Sequence, residues 1–121
     1  MNTRRLPWAS AFAVIFILML TLWPLPAGSG LPLLPGLDKL VHGAMFGLLA
    51  LALTRDIRPF KGGKALYACI AAIALGLGTE LAQGRIAGRG ADPADALADL
   101  AGFALGLAAA RLYSMTRVKI Y

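Results

Sequence analysis

Chemically reactive residues are scarce in this sequence of 121 residues, which has one cysteine, one histidine and six acidic residues. A single cysteine, Cys69, excludes a disulfide within the chain, and a lone thiol among alanines is best explained by packing. No compact metal-ligand motif such as H-E-x-x-H is present, so no metal site is assigned from a motif. Charged residues make up only 15% and apolar residues 59%. A soluble domain of this length cannot bury that much apolar surface, so we expect a membrane protein and no nucleic-acid partner.

Four apolar stretches predict an all-α protein, an integral membrane bundle of four short transmembrane helices in a single domain over residues 1–121. The stretches cover about residues 8–25, 38–54, 65–83 and 95–113. Each lies near the short end of the roughly 17–25 residues that cross a bilayer core, and the short loops favour antiparallel neighbours. The segment Leu25-Pro26-Ala27 after the first stretch is a weak signal-peptidase site, so we expect this helix to be retained.

The basic residues predict the orientation of these helices, because lysine and arginine concentrate in cytoplasmic loops. Nine of them fall on one side and three on the other: Arg4, Arg5, Arg55, Arg58, Lys61, Lys64, Arg111, Arg117 and Lys119 against Lys39, Arg85 and Arg89. Both termini are therefore expected in the cytoplasm, and the loops 24–37 and 84–94 outside. The first of these loops is uncharged and rich in proline and glycine, and we expect it to lie in the interface as a partial lid.

Five of the six acids, all but Asp56, fall at helix ends or in a loop on the expected outer side. The segment Asp92-Pro93-Ala94-Asp95 is a strong helix start, with an acid at the N-cap, proline at the first helical position and an acid in the first turn. We therefore assign Asp92 to capping. Asp38 can cap the second helix in the same way, and for Asp38 and Asp95 a cap and a place in a functional site both remain open.

Three ionisable residues on three helices have no such local explanation: His42, Glu80 and Asp99. Glu80 lies near the C-terminal end of its helix, one turn before the expected stop at Gln83 and Gly84, where the helix dipole disfavours an anion. All three are expected at a similar shallow depth. They either pair with basic residues to fix helix packing or form a ligand or catalytic site, which is the default interpretation of ionisable residues in a membrane.

The spacing of these residues predicts that they converge inside the bundle. Asp38 and His42 share a helix face, as do Glu80 and Gln83. A third stripe repeats every three or four residues and contains Asp95, Asp99, Gly102 and Gly106. Its two glycines form a small-xxx-small pattern that permits close helix approach in lipid, which would turn the two acids inward.

The same residues resemble the VanZ-like family of small bacterial membrane proteins. The resemblance runs from Asp38 to Gly106 and rests on Asp38-Lys39, His42, Phe46, Glu80-x-x-Gln83, Arg89, Asp95, position 99, Gly102 and Gly106. It implies a multi-pass protein of the bacterial cytoplasmic membrane and, since the family is named for a protein linked to teicoplanin resistance, a role in antibiotic resistance or lipid binding at the cell envelope. The family usually has asparagine where this chain has Asp99, which adds a charge and removes an amide donor.

Three functions remain open from the sequence. The first is recognition of an amphiphilic envelope molecule, such as a lipid head group, a polyprenyl phosphate or a lipoglycopeptide, by the ligand-binding candidates Asp38, Lys39, Gln83, Arg89, Asp95 and Asp99. The second is an intramembrane hydrolase or transferase with His42 and Glu80 as catalytic acid and base; metal assistance would favour Mg²⁺ or Mn²⁺ over a structural zinc ion. The third is a non-catalytic assembly module. The sequence identifies no cofactor and no oligomeric state.

Overall fold

The computed structural model describes residues 6–23, 36–58, 61–86 and 90–118. They form four α-helices, α1 (Trp8–Leu22), α2 (Leu37–Ile57), α3 (Lys64–Gln83) and α4 (Pro93–Val118). The predicted all-helical class and the order of the helices are confirmed, and α4 extends beyond the predicted 95–113 at both ends. The first helix ends at Leu22, followed by an extended Trp23, and so stops three residues before the predicted Leu25. Nearly all of the predicted lid lies outside the described residues.

Three of the helices, α2, α3 and α4, are long and apolar enough to cross a membrane. Helix α1 has 15 residues, or about 22 Å at 1.5 Å per residue, which is shorter than the roughly 30 Å hydrocarbon core. Large apolar side chains project outward along every helix, for example Phe12, Leu48, Leu77 and Leu105. This outward apolar surface indicates a lipid bilayer as the surroundings of the protein.

The helix starts show which acidic caps form. Asp92 Oδ1 accepts a hydrogen bond from the Ala94 N–H at 2.9 Å, which confirms the predicted cap of α4. The cap proposed for Asp38 is wrong. Gly36, in the left-handed region with φ 85°, is the N-cap of α2 and there is no side-chain cap. Asp38 lies two residues past this N-cap, and its carboxylate is turned to Lys39 instead.

Helix α2 contacts all three other helices, and its pairing with α4 is the most extensive. Glycines allow this pairing, since a Cβ on Gly102 would overlap the backbone of Gly43 and one on Gly106 would lie 2.6 Å from the Gly47 carbonyl oxygen. The contacts advance in the same direction along both helices, so α2 and α4 run parallel. The predicted close approach at Gly102 and Gly106 is confirmed, and its partner surface is the Gly43-x-x-x-Gly47 pair of α2.

Two polar contacts fasten α1 alongside α2 and α3. Asp56, near the end of α2, accepts hydrogen bonds from the Ser10 N–H at 2.7 Å and the Ser10 hydroxyl at 2.8 Å. At the opposite end, Gln83 Nε2 donates to the Thr21 carbonyl at 2.9 Å. Helix α1 therefore runs antiparallel to α2, and its last turn lies beside the end of the bundle where α2 and α4 begin and α3 ends.

Candidate functional site

A buried group of three ionisable side chains lies at this end of the bundle, and we call it the buried triad: His42 on α2, Glu80 on α3 and Asp99 on α4. Their residues are 7%, 6% and 0% exposed. One ring nitrogen of His42 and one oxygen from each carboxylate all lie within 4.8 Å of one another. The convergence predicted from the sequence is therefore present in the structure.

The histidine is held by acids of α4. His42 Nδ1 lies 2.9 Å from Asp99 Oδ1, and His42 Nε2 lies 3.7 Å from Asp95 Oδ2. Asp95 and Asp99 are four residues apart and therefore share one face of α4. The close glycine contact that begins one residue after His42 brings this face within hydrogen-bond distance of the ring. The imidazole is thus oriented by carboxylates on one neighbouring helix.

The two carboxylates of the triad each have one bonded and one unbonded oxygen. Glu80 Oε2 accepts a hydrogen bond from the Asp92 N–H at 2.9 Å, which links α3 to the start of α4. Glu80 Oε1 and Asp99 Oδ2 are buried and have no hydrogen-bond partner among the described residues. A Cβ on Gly76 would lie 3.4 Å from Asp99 Oδ2, so this oxygen faces α3, one turn before Glu80. Buried oxygens without a partner are costly, and they require an explanation.

A second, more exposed group of acids surrounds Lys39, which lies one turn nearer to the start of α2 than His42. Its Nζ donates to Asp38 at 3.2 Å, Asp92 at 2.9 Å and Asp95 at 3.2 Å. The hydrogen bond from Lys39 holds the pKa of Asp92 below its ordinary value. Lys39 pairs with these three acids and not with Glu80 or Asp99, so the pairing that the packing alternative predicted for the triad is not the one observed, and this ammonium group is already neutralised by three carboxylates.

The remaining predicted site residues have other positions. Gln83 is buried at 2% exposure, but its amide nitrogen is bonded to the Thr21 carbonyl of α1. Arg85 is exposed after the end of α3, with no ion pair among the described residues. Arg89 lies outside the described residues. The serines that the structure describes are distant: Ser10 is bonded to Asp56, and Ser114 donates to the Arg111 carbonyl.

Negative charge predominates at this end of the bundle. Five acids lie here, and the described basic residues are Lys39 and the exposed Arg85, with His42 as a third positive group when it is protonated. Because Lys39 is already surrounded by carboxylates, the arrangement favours cations and hydrogen-bond donors over anions. A phosphate held by Lys39 would first have to displace these acids.

Two apolar grooves lead from this end along the helices. One, of about 250 Å³ between α1 and α2, reaches the buried triad and is lined by Leu20, Thr21, Leu37, Asp38, Val41, His42 and Met45. The other, of about 730 Å³, follows the glycines of α2 and α4, and Lys39 lies at the end of this groove nearest to the start of α2. Of the two, the groove between α1 and α2 is the one lined by a member of the triad.

Several contacts at the site were not predicted from the sequence. The hydrogen bond between Glu80 and the Asp92 backbone joins residues with no recognisable joint pattern. The role of Gly76, which leaves room for the Asp99 carboxylate, follows only from the packing. The Gly43-x-x-x-Gly47 pair was detectable, since its spacing equals that of Gly102 and Gly106. Comparisons of the chain with protein-family models, with curated proteins and with solved structures found no match.

Proposed function

We propose that this protein is a VanZ-like membrane protein that binds an amphiphilic molecule of the cell envelope at the buried triad. One observation carries the proposal. The apolar groove between α1 and α2 ends on His42 and Asp38, so a single ligand can place a hydrocarbon segment against Leu20, Val41 and Met45 and a polar group against the ionisable side chains. Apolar walls with a few convergent polar groups are the usual form of a small-molecule site.

The charges at the site narrow the class of ligand. Carboxylates and a histidine accept hydrogen bonds and attract positive charge, whereas the only lysine at the site is already paired with three acids. We therefore favour a polar group that donates hydrogen bonds, such as the hydroxyl or amine groups of a glycolipid, an aminolipid or a lipoglycopeptide. Among the envelope molecules considered from the sequence, a polyprenyl phosphate is less favoured, because its phosphate is an anion.

The proposed orientation follows the distribution of basic residues. Both termini lie in the cytoplasm of a bacterium, and the triad faces the outer surface of the cytoplasmic membrane. In this orientation the site meets envelope molecules in the outer leaflet.

Native mass spectrometry of the protein extracted from its own membranes tests the proposal. We expect an amphiphile bound to the wild-type protein and at least about tenfold less of it on His42→Asn, because the polar end loses its partner. Asp56→Asn is the matched control. It also alters a partly buried polar contact, the one with Ser10, but Asp56 lies about 21 Å along α2 from His42.

The control separates the possible results. Loss of the ligand from His42→Asn with retention by Asp56→Asn supports the site. Equal loss from both variants would attribute the effect to general weakening of the bundle. Wild-type protein without any bound amphiphile would contradict the proposal and favour the assembly-module function, in which the polar residues only hold the helices together.

A second function, an intramembrane hydrolase, is favoured by a different observation. The carboxylate of Asp99 orients the His42 ring at 2.9 Å, as a base is oriented by a third group in many hydrolases, and Glu80 places a second carboxylate nearby. Incubation of membranes in ¹⁸O-labelled water tests this function. Hydrolysis predicts labelled products from membranes with the wild-type protein and not from those with His42→Ala, whereas equal labelling in both would exclude it.

A further inference from the structure

We propose that the buried triad is a binding site for a divalent cation, with Mn²⁺ as the ion that suits its donors best. The proposal goes beyond amphiphile binding and does not depend on it, since the ion alone can be tested. No motif in the sequence marks a metal site, and the site arises only from the packing of three helices.

The two unbonded oxygens are the main evidence. Glu80 Oε1 and Asp99 Oδ2 are buried without a hydrogen-bond partner among the described residues, in residues that are 6% and 0% exposed. They belong to two carboxylates that each offer an oxygen within 4.8 Å of the other and of a His42 nitrogen. Ligands of one ion lie at most about 4.2 Å apart when each bond is about 2.1 Å. A shift of a few tenths of an ångström would therefore bring three donors onto a single ion.

Charge balance supports a divalent ion. A neutral imidazole and two ionised carboxylates carry two negative charges, which one divalent cation neutralises in surroundings where an isolated charge is costly. The donor set of one imidazole and two carboxylates combines a borderline ligand with hard ones. Imidazole suits transition metals and carboxylate suits Mn²⁺ and Mg²⁺, so Mn²⁺ is accommodated by both kinds of ligand.

The residues around the triad support this assignment. Histidine ligands usually present their second ring nitrogen to a carboxylate, which fixes the ring orientation. When His42 Nδ1 is the ligand, Asp95 Oδ2 lies 3.7 Å from the other nitrogen and can take this role. Glu80 Oε2 is meanwhile fixed by the Asp92 N–H, which leaves Oε1 for the ion.

The acids around Lys39 do not form an equivalent site. Asp38, Asp92 and Asp95 also come within 4.8 Å of one another, but their oxygens surround the Lys39 ammonium at 2.9 to 3.2 Å. The cation at that position is the lysine itself. This difference provides a matched control, because Asp38 can be neutralised without altering the triad.

The decisive measurement uses the single histidine of the sequence. Wild-type protein with a histidine-free affinity tag is titrated with Mn²⁺ in detergent, and the bound ion is examined by electron spin-echo envelope modulation. We expect the ¹⁴N modulation of a coordinated imidazole, and only His42 can supply it. Because this experiment needs no variant, a folding defect cannot obscure its result.

Affinity measurements on variants locate the other ligands. We expect Glu80→Gln to weaken Mn²⁺ binding by at least about tenfold and Asp38→Asn to leave it within a factor of about two. Absence of Mn²⁺ binding up to about 1 mM, the range of the weakest cation sites, would overturn the proposal. So would binding without ¹⁴N modulation, or an equal loss in Asp38→Asn, since both would place the ion on the acids around Lys39.

Discussion

Asp99 has no exposed surface, and its two oxygens face different helices. One bonds to His42 of α2 at 2.9 Å, and the other lies against Gly76 of α3. A single side chain on α4 therefore fills the space between two neighbours. This position makes the shape and hydrogen-bonding capacity of the side chain important for folding, whereas its negative charge matters for the proposed binding of a cation.

Two substitutions at this position separate shape from charge. We expect Asp99→Asn to change the free energy of unfolding by less than about 1 kcal/mol, because an amide can still bond to His42. Asp99→Ala leaves a buried imidazole without this partner and should cost about 2 kcal/mol or more. Unfolding of both variants in mixed detergent micelles measures the difference, and an equally large loss in the two would show that the charge itself stabilises the fold.

The Lys39 group predicts a dependence of stability on pH. The pKa of Asp92 is lowered by Lys39, so the stabilisation is present at neutral pH and is lost as the pH falls through that lowered pKa. We expect Lys39→Met to reduce the midpoint of thermal unfolding at pH 7 and to have little effect in strong acid, where the carboxylates are protonated in both proteins.

Arg85→Met is the control for this experiment. Arg85 lies at the same end of the bundle, is exposed and has no ion pair among the described residues. Its substitution should leave the unfolding midpoint unchanged at either pH. A Lys39→Met deficit that persists unchanged in acid would contradict the role assigned to the three aspartates.

At the scale of the helices, the contact between α2 and α4 depends on backbone meeting backbone. Gly43 and Gly47 face Gly102 and Gly106 with no side chain between them. Gly76 acts differently, since it makes room for a carboxylate. Gly78, two residues further along α3, is open to its surroundings, because a Cβ added there would have no neighbouring atom within 4 Å.

Alanine substitutions at two glycines test this assignment. Gly102→Ala places a methyl group in the Gly43 backbone and should cost about 1–3 kcal/mol as α2 and α4 are forced apart. Gly78→Ala has room for its methyl group and gains helix propensity, so it should be neutral or stabilising by up to about 1 kcal/mol. The free energies of unfolding in micelles give both values. Equal effects of the two substitutions would mean that the close contact does not limit stability.

The helices and the triad were largely predictable from the sequence because they depend on local patterns. Apolar runs located all four helices, and three- and four-residue spacings placed Asp95 and Asp99 on the face that meets α2. The start of α2 was wrong because Gly36 and Asp38 are both acceptable N-cap residues, and only the backbone conformation distinguishes them. The Ser10–Asp56 and Thr21–Gln83 contacts were missed because they join distant segments through single side chains.

At the scale of the whole molecule, three helices are suited to crossing a membrane and α1 is shorter. The orientation inferred from basic residues can be tested by labelling in intact cells. In a Cys69→Ala background, a membrane-impermeant maleimide should label Arg85→Cys and leave Lys61→Cys unlabelled until the membrane is disrupted. Both positions are exposed loop residues, so accessibility reports the side of the membrane. Labelling of only Lys61→Cys in intact cells would reverse the proposed topology.

The polar contacts between α2 and α4 also set an order of events during synthesis. His42 leaves the ribosome 57 residues before Asp99, and Lys39 leaves it 53 residues before Asp92. Since chains are made from the N-terminus, α2 is made with Lys39 beside only its neighbour Asp38 and with His42 still lacking its partners Asp95 and Asp99. Only the arrival of α4 completes both groups. A chain truncated before α4 therefore lacks Asp92, Asp95 and Asp99, which supply three of the acidic partners of these two groups.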